Sequence, residues 1–164
     1  MHLFKLGSAA SDELAMLAEG GNTAPLSDML AANKRVTATS VSSGLLAPGA
    51  SVTIKVSANG ARYISLASML IPTNDGFFAL NNVRVSGEGV STFYSPAYDA
   101  GTEMNDELCV DIPGPVCGGE GYSPNADGEG YVHIHSGIHG IGDLSAATYD
   151  WRNPVARITV RRGE

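Results

Sequence analysis

A ten-residue acidic stretch, Tyr98 to Glu107, holds the side chains of this chain that are best suited to chemistry. It carries four carboxylates, one side-chain amide and one threonine hydroxyl, and it contains no lysine, arginine or histidine. Carboxylates this close repel one another, and a divalent cation would neutralise them. Oxygen ligands without nitrogen or sulfur are typical of calcium sites rather than zinc or copper sites. Gly101 allows a sharp turn, so that Asp99 and Glu103 can face one point. The stretch predicts a calcium site, and the alternative is a solvated acidic loop.

A further acidic position, Asp75, lies in the segment Pro72 to Gly76. This segment follows the apolar run from Ile64 to Ile71 and is typical of a turn at the end of a buried strand. Acidic loops at one edge of a β-sandwich are a common calcium-binding arrangement. The alternative for Asp75 alone is an Asx-turn, in which the side chain bonds its own backbone. We expect Asp75 to join the acidic stretch at the same edge.

Three histidines form a weaker candidate metal site, at positions His133, His135 and His139. On a strand, His133 and His135 would point to the same face, and a set of three histidines suits zinc or copper. The interpretation that we favour is structural: half-buried rings that hydrogen-bond to neighbouring side chains.

The two cysteines, Cys109 and Cys117, flank a turn of sequence Pro-Gly-Pro. We expect a disulfide between them, which is typical of an oxidising location. The predicted location is therefore extracellular, on the cell surface or periplasmic, although Met1 to Lys5 lacks the apolar region of a signal peptide.

Composition excludes several classes of partner. A formal net charge of −7 over 164 residues leaves no basic stripe for nucleic acid. No apolar run approaches the roughly 18 residues that would span a bilayer, so membrane insertion is not expected. Neither a serine-nucleophile pattern nor a phosphate loop is present. We predict a protein that is not an enzyme, with an unidentified extracellular protein or glycan as its ligand.

Two short helices and a series of strands must position these residues. Ser11 can cap a first helix that ends at Gly20 and Gly21, and a second helix runs from Thr23 toward Asn33. Strands and turns then alternate, and the length suits one domain, residues 1–164. The predicted strands cover residues 51–58, 63–71, 82–86, 90–94, 131–135 and 155–161.

Details of the pattern specify how these strands should pair. Asn59-Gly60 is a strong hairpin turn after the alternating strand 51–58, and the apolar strand 63–71 would be central. Gly87-Glu88-Gly89 would join strands 82–86 and 90–94 as a hairpin. The predicted fold is mainly β, an antiparallel β-sandwich with two short helices near the N-terminus.

Four stretches of this chain are similar to the spondin amino-terminal domain family, most of all to its stand-alone bacterial members. The similarity runs from His2 to Arg161, and its motifs are Ile71–Phe78, Tyr98–Glu103, Gly137–Asp143 and Tyr149–Ile158. The resemblance implies a calcium-binding β-sandwich with three acidic ligands, at the positions of Asp75, Asp99 and Glu103. Animal members usually carry aspartate at the position of Glu103, and they have more cysteines. The family pattern also has a strand before His2, without which a neighbouring edge would be open to strand-mediated self-association.

The function implied is non-catalytic calcium binding for adhesion or ligand recognition outside the cytoplasm. Two alternatives stay open. One is a carbohydrate-binding module that uses Trp151, Tyr122 or Tyr98. The other is a transition-metal enzyme built on the three histidines.

Overall fold

The structure is a computed structural model that describes residues 1–57, 59–124 and 127–162. Both predicted helices are present, as α1 (Asp12–Gly20) and α2 (Thr23–Ala32). The Ser11 hydroxyl accepts a hydrogen bond from the Leu14 backbone N–H at 3.3 Å and caps α1. Gly21 ends α1 in the left-handed conformation. A third short helix, α3 (Ala146–Tyr149), was not predicted.

Two antiparallel sheets contain the strands. Four of them form one sheet in the order β1-β2-β4-β5, with bounds Tyr63–Met69, Gly76–Arg84, Ala97–Asp99 and His133–Ile134. The other two, β3 (Val90–Ser95) and β6 (Ala156–Arg161), pair with each other. The fold is therefore β-rich and antiparallel, as predicted, whereas the face-to-face sandwich stays a prediction.

The predicted hairpin between residues 82–86 and 90–94 is wrong. Residues 82–84 form the end of β2, which stops at Arg84, and β3 pairs with β6 instead. The end of β2 pairs with β1, where Val83 and Arg84 lie opposite Ile64 and Tyr63, and β4 pairs with β2 only over Gly76–Phe78. The whole of β3, from Val90 to Ser95, instead finds partners along β6, so the distant strand offers it a full-length ladder.

The predicted strand over residues 51–58 and the predicted central position of β1 are also wrong. Residues 51–57 form no strand and are all exposed, while Ala58 lies outside the described residues. Among the described residues, no strand pairs with the second edge of β1, so β1 is an edge strand and is half-buried rather than buried on both faces. The alternating pattern fails because Val52, Ile54 and Val56 are exposed, and little burial is then gained to offset the conformational entropy lost on forming a strand.

The main core lies between α1 and the four-stranded sheet. Leu14 and Leu17 from the helix pack with Phe77 of β2 and with Val132. The Phe4 ring meets the Phe77 ring edge-on, with ring centres 5.3 Å apart. This core fixes the end of the sheet at which β2 starts and β4 ends. No helix of the described part is long and apolar enough to cross a bilayer.

Candidate metal centre

Asp75 is the deepest acidic side chain of the candidate site. It precedes β2 in a turn stabilised by Thr73, whose hydroxyl donates to the Leu70 carbonyl oxygen and accepts from the Gly76 N–H. The Asp75 side chain is fully buried, and its Oδ2 accepts hydrogen bonds from the backbone N–H groups of Thr102 at 2.7 Å and Glu103 at 3.2 Å. Its Oδ1 has no hydrogen-bond partner among the described residues. One oxygen of Asp75 therefore holds the acidic loop in place, while the other is free to bind a cation.

Strand register places Asp99 beside Asp75. Gly76 and Asp99 are partners in the ladder between β2 and β4, so the residue that follows Asp75 lies directly opposite Asp99. Asp99 is buried, and its Oδ1 accepts the Gly101 N–H at 2.7 Å. Gly101 has a φ of +68°, and a Cβ there would overlap the Tyr131 backbone. The turn after β4 therefore requires glycine, as the sequence indicated.

A group of possible ligands extends from Asp99 toward solvent. One ligand atom from each of Asp99, Glu129 and His133 lies within 4.8 Å of the other two, the one such group of three found among the described residues. His133 is opposite Asp99 in the ladder between β4 and β5, and its Nδ1 is 3.6 Å from Asp99 Oδ1. Asp99 is buried, His133 half-buried and Glu129 exposed. This Asp/Glu/His group could hold a metal ion.

Asn105 links two members of that group. Its side-chain Nδ2 donates to Asp99 Oδ2 at 2.6 Å and to Glu129 Oε1 at 3.3 Å. The positive end of the Asn105 amide dipole thus lies between two carboxylates. A cation at the same place would interact with both carboxylates more strongly than the amide does. Rotation of the amide would present Oδ1 instead, an oxygen that calcium accepts as a ligand.

The electrostatics of the buried acids also favour a cation. Burial, and then the charge of Asp99, raise the pKa of Asp75 to about 8, although the N–H donors of Thr102 and Glu103 oppose the shift. Burial, followed by the charges of Glu19, Asp111 and Asp75, raises the pKa of Glu103 to about 8. Both shifts arise because ionised carboxylates lose water and face other carboxylates. A bound divalent cation would neutralise the repulsion between these carboxylates.

Glu103 joins the site through its backbone rather than through the Asp99 group. It is buried, its N–H donates to Asp75, and its Oε2 has no hydrogen-bond partner among the described residues. The charge that acts most strongly on it is that of Glu19. The structure therefore brings Asp75 and Asp99 together by register, with Glu103 adjacent to Asp75.

The three histidines do not form a common group among the described residues. His133 joins the acidic group, whereas His135 is buried with its ring centre 5.0 Å from that of Trp151. His135 Nδ1 accepts the Gly137 N–H at 3.0 Å, and burial is the main cause that lowers the pKa of His135. His139 Nε2 lies 3.1 Å from the Ser136 hydroxyl. His139 thus has a local contact typical of a structural residue, whereas the buried Nε2 of His135 has no hydrogen-bond partner among the described residues.

Glu107 is a buried acid with a structural role that the sequence did not reveal. Its carboxylate accepts hydrogen bonds from the backbone N–H groups of His139 at 2.6 Å, Gly140 at 2.7 Å and Ile141 at 3.0 Å. Three donors satisfy this charge, in contrast to the unpartnered oxygens of Asp75 and Glu103. Glu107 therefore ties the acidic loop to the loop that follows the histidines.

The sequence also did not identify Glu129. The one feature of the sequence that could have indicated it is the pair of flanking glycines, Gly128 and Gly130. In the structure, a Cβ on Gly128 would overlap the backbone of the loop at Gly101 and Thr102. The close approach of these two loops brings Glu129 to Asp99, and it depends on a contact between segments that are far apart in the sequence.

The predicted disulfide is present between Cys109 and Cys117, whose Cα atoms are 4.7 Å apart. It packs against a second small core made of Ile112, Ile138 and Leu144. A disulfide of this kind indicates an oxidising environment outside the cytoplasm.

Comparisons with known proteins add no relative. No protein-family model matches the chain, and no curated protein matches it. The similarity to the spondin amino-terminal domain family therefore stays a prediction from the sequence motifs.

Proposed function

We propose that this chain is a calcium-binding domain, without catalytic activity, that acts in adhesion or ligand recognition outside the cytoplasm. The observation that carries the proposal is the Asp75 carboxylate. It is buried beside Asp99, and its Oδ1 lacks any partner among the described residues. A buried, unpartnered carboxylate oxygen is costly unless a proton or a cation satisfies it.

The chemistry of the surrounding donors favours calcium. Oxygen atoms predominate near the site, from the carboxylates of Asp75, Asp99 and Glu129 and from the Asn105 amide. Calcium accepts six to eight such ligands in flexible geometry, whereas magnesium demands a tighter octahedron. Glu103, whose backbone N–H donates to Asp75, can contribute one carboxylate oxygen, and water or backbone oxygens would complete the coordination.

Exposed apolar side chains near the acidic loop support a role in recognition. Met104, Leu108 and Val110 are exposed on the segment that follows Glu103. Calcium would hold this segment rigid, so that a ligand would not have to order it on binding. The ligand class that fits is an extracellular protein or a glycan.

One observation favours a second candidate, a transition-metal site. His133 supplies a nitrogen ligand to the group with Asp99 and Glu129, and such mixed nitrogen and oxygen sets suit zinc and related metals. The carbohydrate alternative has weaker support, because Trp151 packs against His135 and Tyr98 packs between Phe4 and Phe77.

The test is a thermal melt of chelator-stripped protein with and without calcium. Binding to the folded state at about 100 times the dissociation constant adds about 2.7 kcal/mol per site, so Tm should rise. Asp99→Asn keeps the side-chain shape but removes a charge, and it should lose at least half of the shift. Asp28→Asn, on the exposed face of α2, is the matched control and should keep the full shift. An Asp99→Asn protein with an undiminished calcium shift would refute the proposal.

A further inference from the structure

Glu19 and Glu103 form a pair of buried carboxylates outside the Asp99 group. Glu19, in the last turn of α1, is 1% exposed, and Glu103 is 4% exposed. The Ser123 backbone N–H donates to Glu19 Oε2 at 2.7 Å, which holds the side chain inside the fold. Glu103 Oε2 is buried and has no hydrogen-bond partner among the described residues. Two acids from distant parts of the chain are thus buried with one acceptor oxygen left unsatisfied.

Close backbone packing builds this pair into the fold. A Cβ on Gly20 would lie 3.3 Å from the Tyr122 backbone nitrogen, and a Cβ on Gly121 would lie 3.3 Å from the Gly20 Cα. The end of α1 therefore approaches the segment around Gly121 as closely as glycines allow. This approach brings the Ser123 N–H to Glu19. Glu19 and Glu103 are therefore buried, unlike the carboxylates of a solvated acidic surface.

Among the described residues, no positive charge forms an ion pair with Glu19 or Glu103. Glu19 is the strongest charge acting on Glu103, and Asp111 is the next. Hydrogen bonds from Ser123 and Thr102 to Glu19, and from Ser123 to Glu103, offset part of this repulsion. Two buried carboxylates whose charges act on each other are satisfied more fully by a shared proton or a bound cation.

We infer that Glu19 and Glu103 hold a second calcium ion, which ties the end of α1 to the acidic loop. The donors at this place are oxygens, including the hydroxyl of Thr102, which hydrogen-bonds to Glu19, and this chemistry suits a hard divalent cation. The inference rests on the proposed function in one respect: Glu103 would contribute one oxygen to each of two neighbouring calcium ions.

The experiment counts calcium equivalents. Chelator-stripped protein is titrated with calcium alone by calorimetry, and the bound metal is measured again after dialysis. Wild-type protein should bind two equivalents. Glu19→Gln and Asp99→Asn should bind one each, and the control Asp28→Asn should bind two.

The outcomes separate the two proposals. A wild-type protein that binds one equivalent, lost in Asp99→Asn, would leave the proposed function intact and refute the second site. A Glu19→Gln protein that still binds two equivalents would refute the second site as well. If Glu19→Gln fails to fold by circular dichroism, Asp99→Asn decides: one retained equivalent supports the second site, and none refutes it. A wild-type protein that binds no calcium would refute both proposals.

Discussion

Asp99 and His133 are direct partners across the ladder between β4 and β5, with His133 Nδ1 at 3.6 Å from Asp99 Oδ1. The pairing brings one nitrogen donor to the edge of a site in which oxygen donors otherwise predominate. It also explains why one of the three histidines, and not the set, lies near the acidic loops. Substitution of His133 therefore tests whether the site prefers calcium or a transition metal.

His133→Gln should leave calcium affinity nearly unchanged while it weakens zinc and cobalt binding about tenfold or more. Calcium does not need a nitrogen ligand, whereas the borderline metals gain most of their preference from one. Competition titrations of the stripped variant measure both affinities. His135→Gln is the matched control: it should change stability but neither metal affinity, since His135 packs against Trp151. A large loss of calcium affinity in His133→Gln would contradict this prediction, and a wild-type protein that binds zinc tightly but calcium hardly at all would favour the transition-metal candidate.

Stability of the chelator-stripped protein should fall as the pH rises from about 4 to about 8. Asp75 and Glu103 have folded-state pKa values raised to about 8, above the usual values of 3.8 and 4.5. In that window the folded state binds more protons than the unfolded state, so the free energy of unfolding decreases with pH. Urea denaturation at several pH values measures the slope.

Calcium should reverse this pH dependence, because the ion replaces the protons on the buried acids. Calcium affinity should accordingly increase with pH over the same window. A stripped protein whose stability rises from pH 5 to pH 8 would show that these acids are ionised without a cation.

Gly101→Ala should destabilise the fold by more than about 1 kcal/mol and weaken calcium binding. The φ of +68° is unfavourable for alanine, and the added Cβ would overlap the Tyr131 backbone. The turn that aims the Asp99 side chain would have to move. Gly60→Ala is a matched control, since Gly60 has a φ of +82° in open space, so that only the strain term applies. Equal calcium affinities in the two variants would contradict the role of this turn.

The disulfide should stabilise the fold by about 2.5 kcal/mol in the chain-entropy model for a loop of this length. Cys109→Ser with Cys117→Ser should lower the free energy of unfolding by roughly that amount. Mass spectrometry of untreated protein should find it 2 Da lighter than after reduction. Free, alkylatable thiols in oxidised, folded material would contradict the bond.

The sequence predicted local features better than pairings. Ser11 caps α1 through its side chain, and Gly21 and Gly101 turn the chain through left-handed backbone conformations. These roles could be predicted from residue type because they depend on local structure. The pairing of β3 with β6 could not be predicted from residue type, because it joins segments that lie far apart in the sequence. Asp75 and Asp99 are buried and lie in stretches that the sequence singled out, and their role as calcium ligands stays a prediction. Glu129 and Glu19 reach the acidic loop only through contacts between distant segments of the chain.

A crystal structure of the protein grown with calcium tests the central claim most directly. The account predicts anomalous density for one ion bonded to Asp75 Oδ1 and to an Asp99 oxygen, with bonds of about 2.3–2.6 Å and six to eight oxygen ligands. Density in which Asp75 Oδ1 hydrogen-bonds to a protonated neighbour, with no ion at Asp99 despite millimolar calcium, would contradict it.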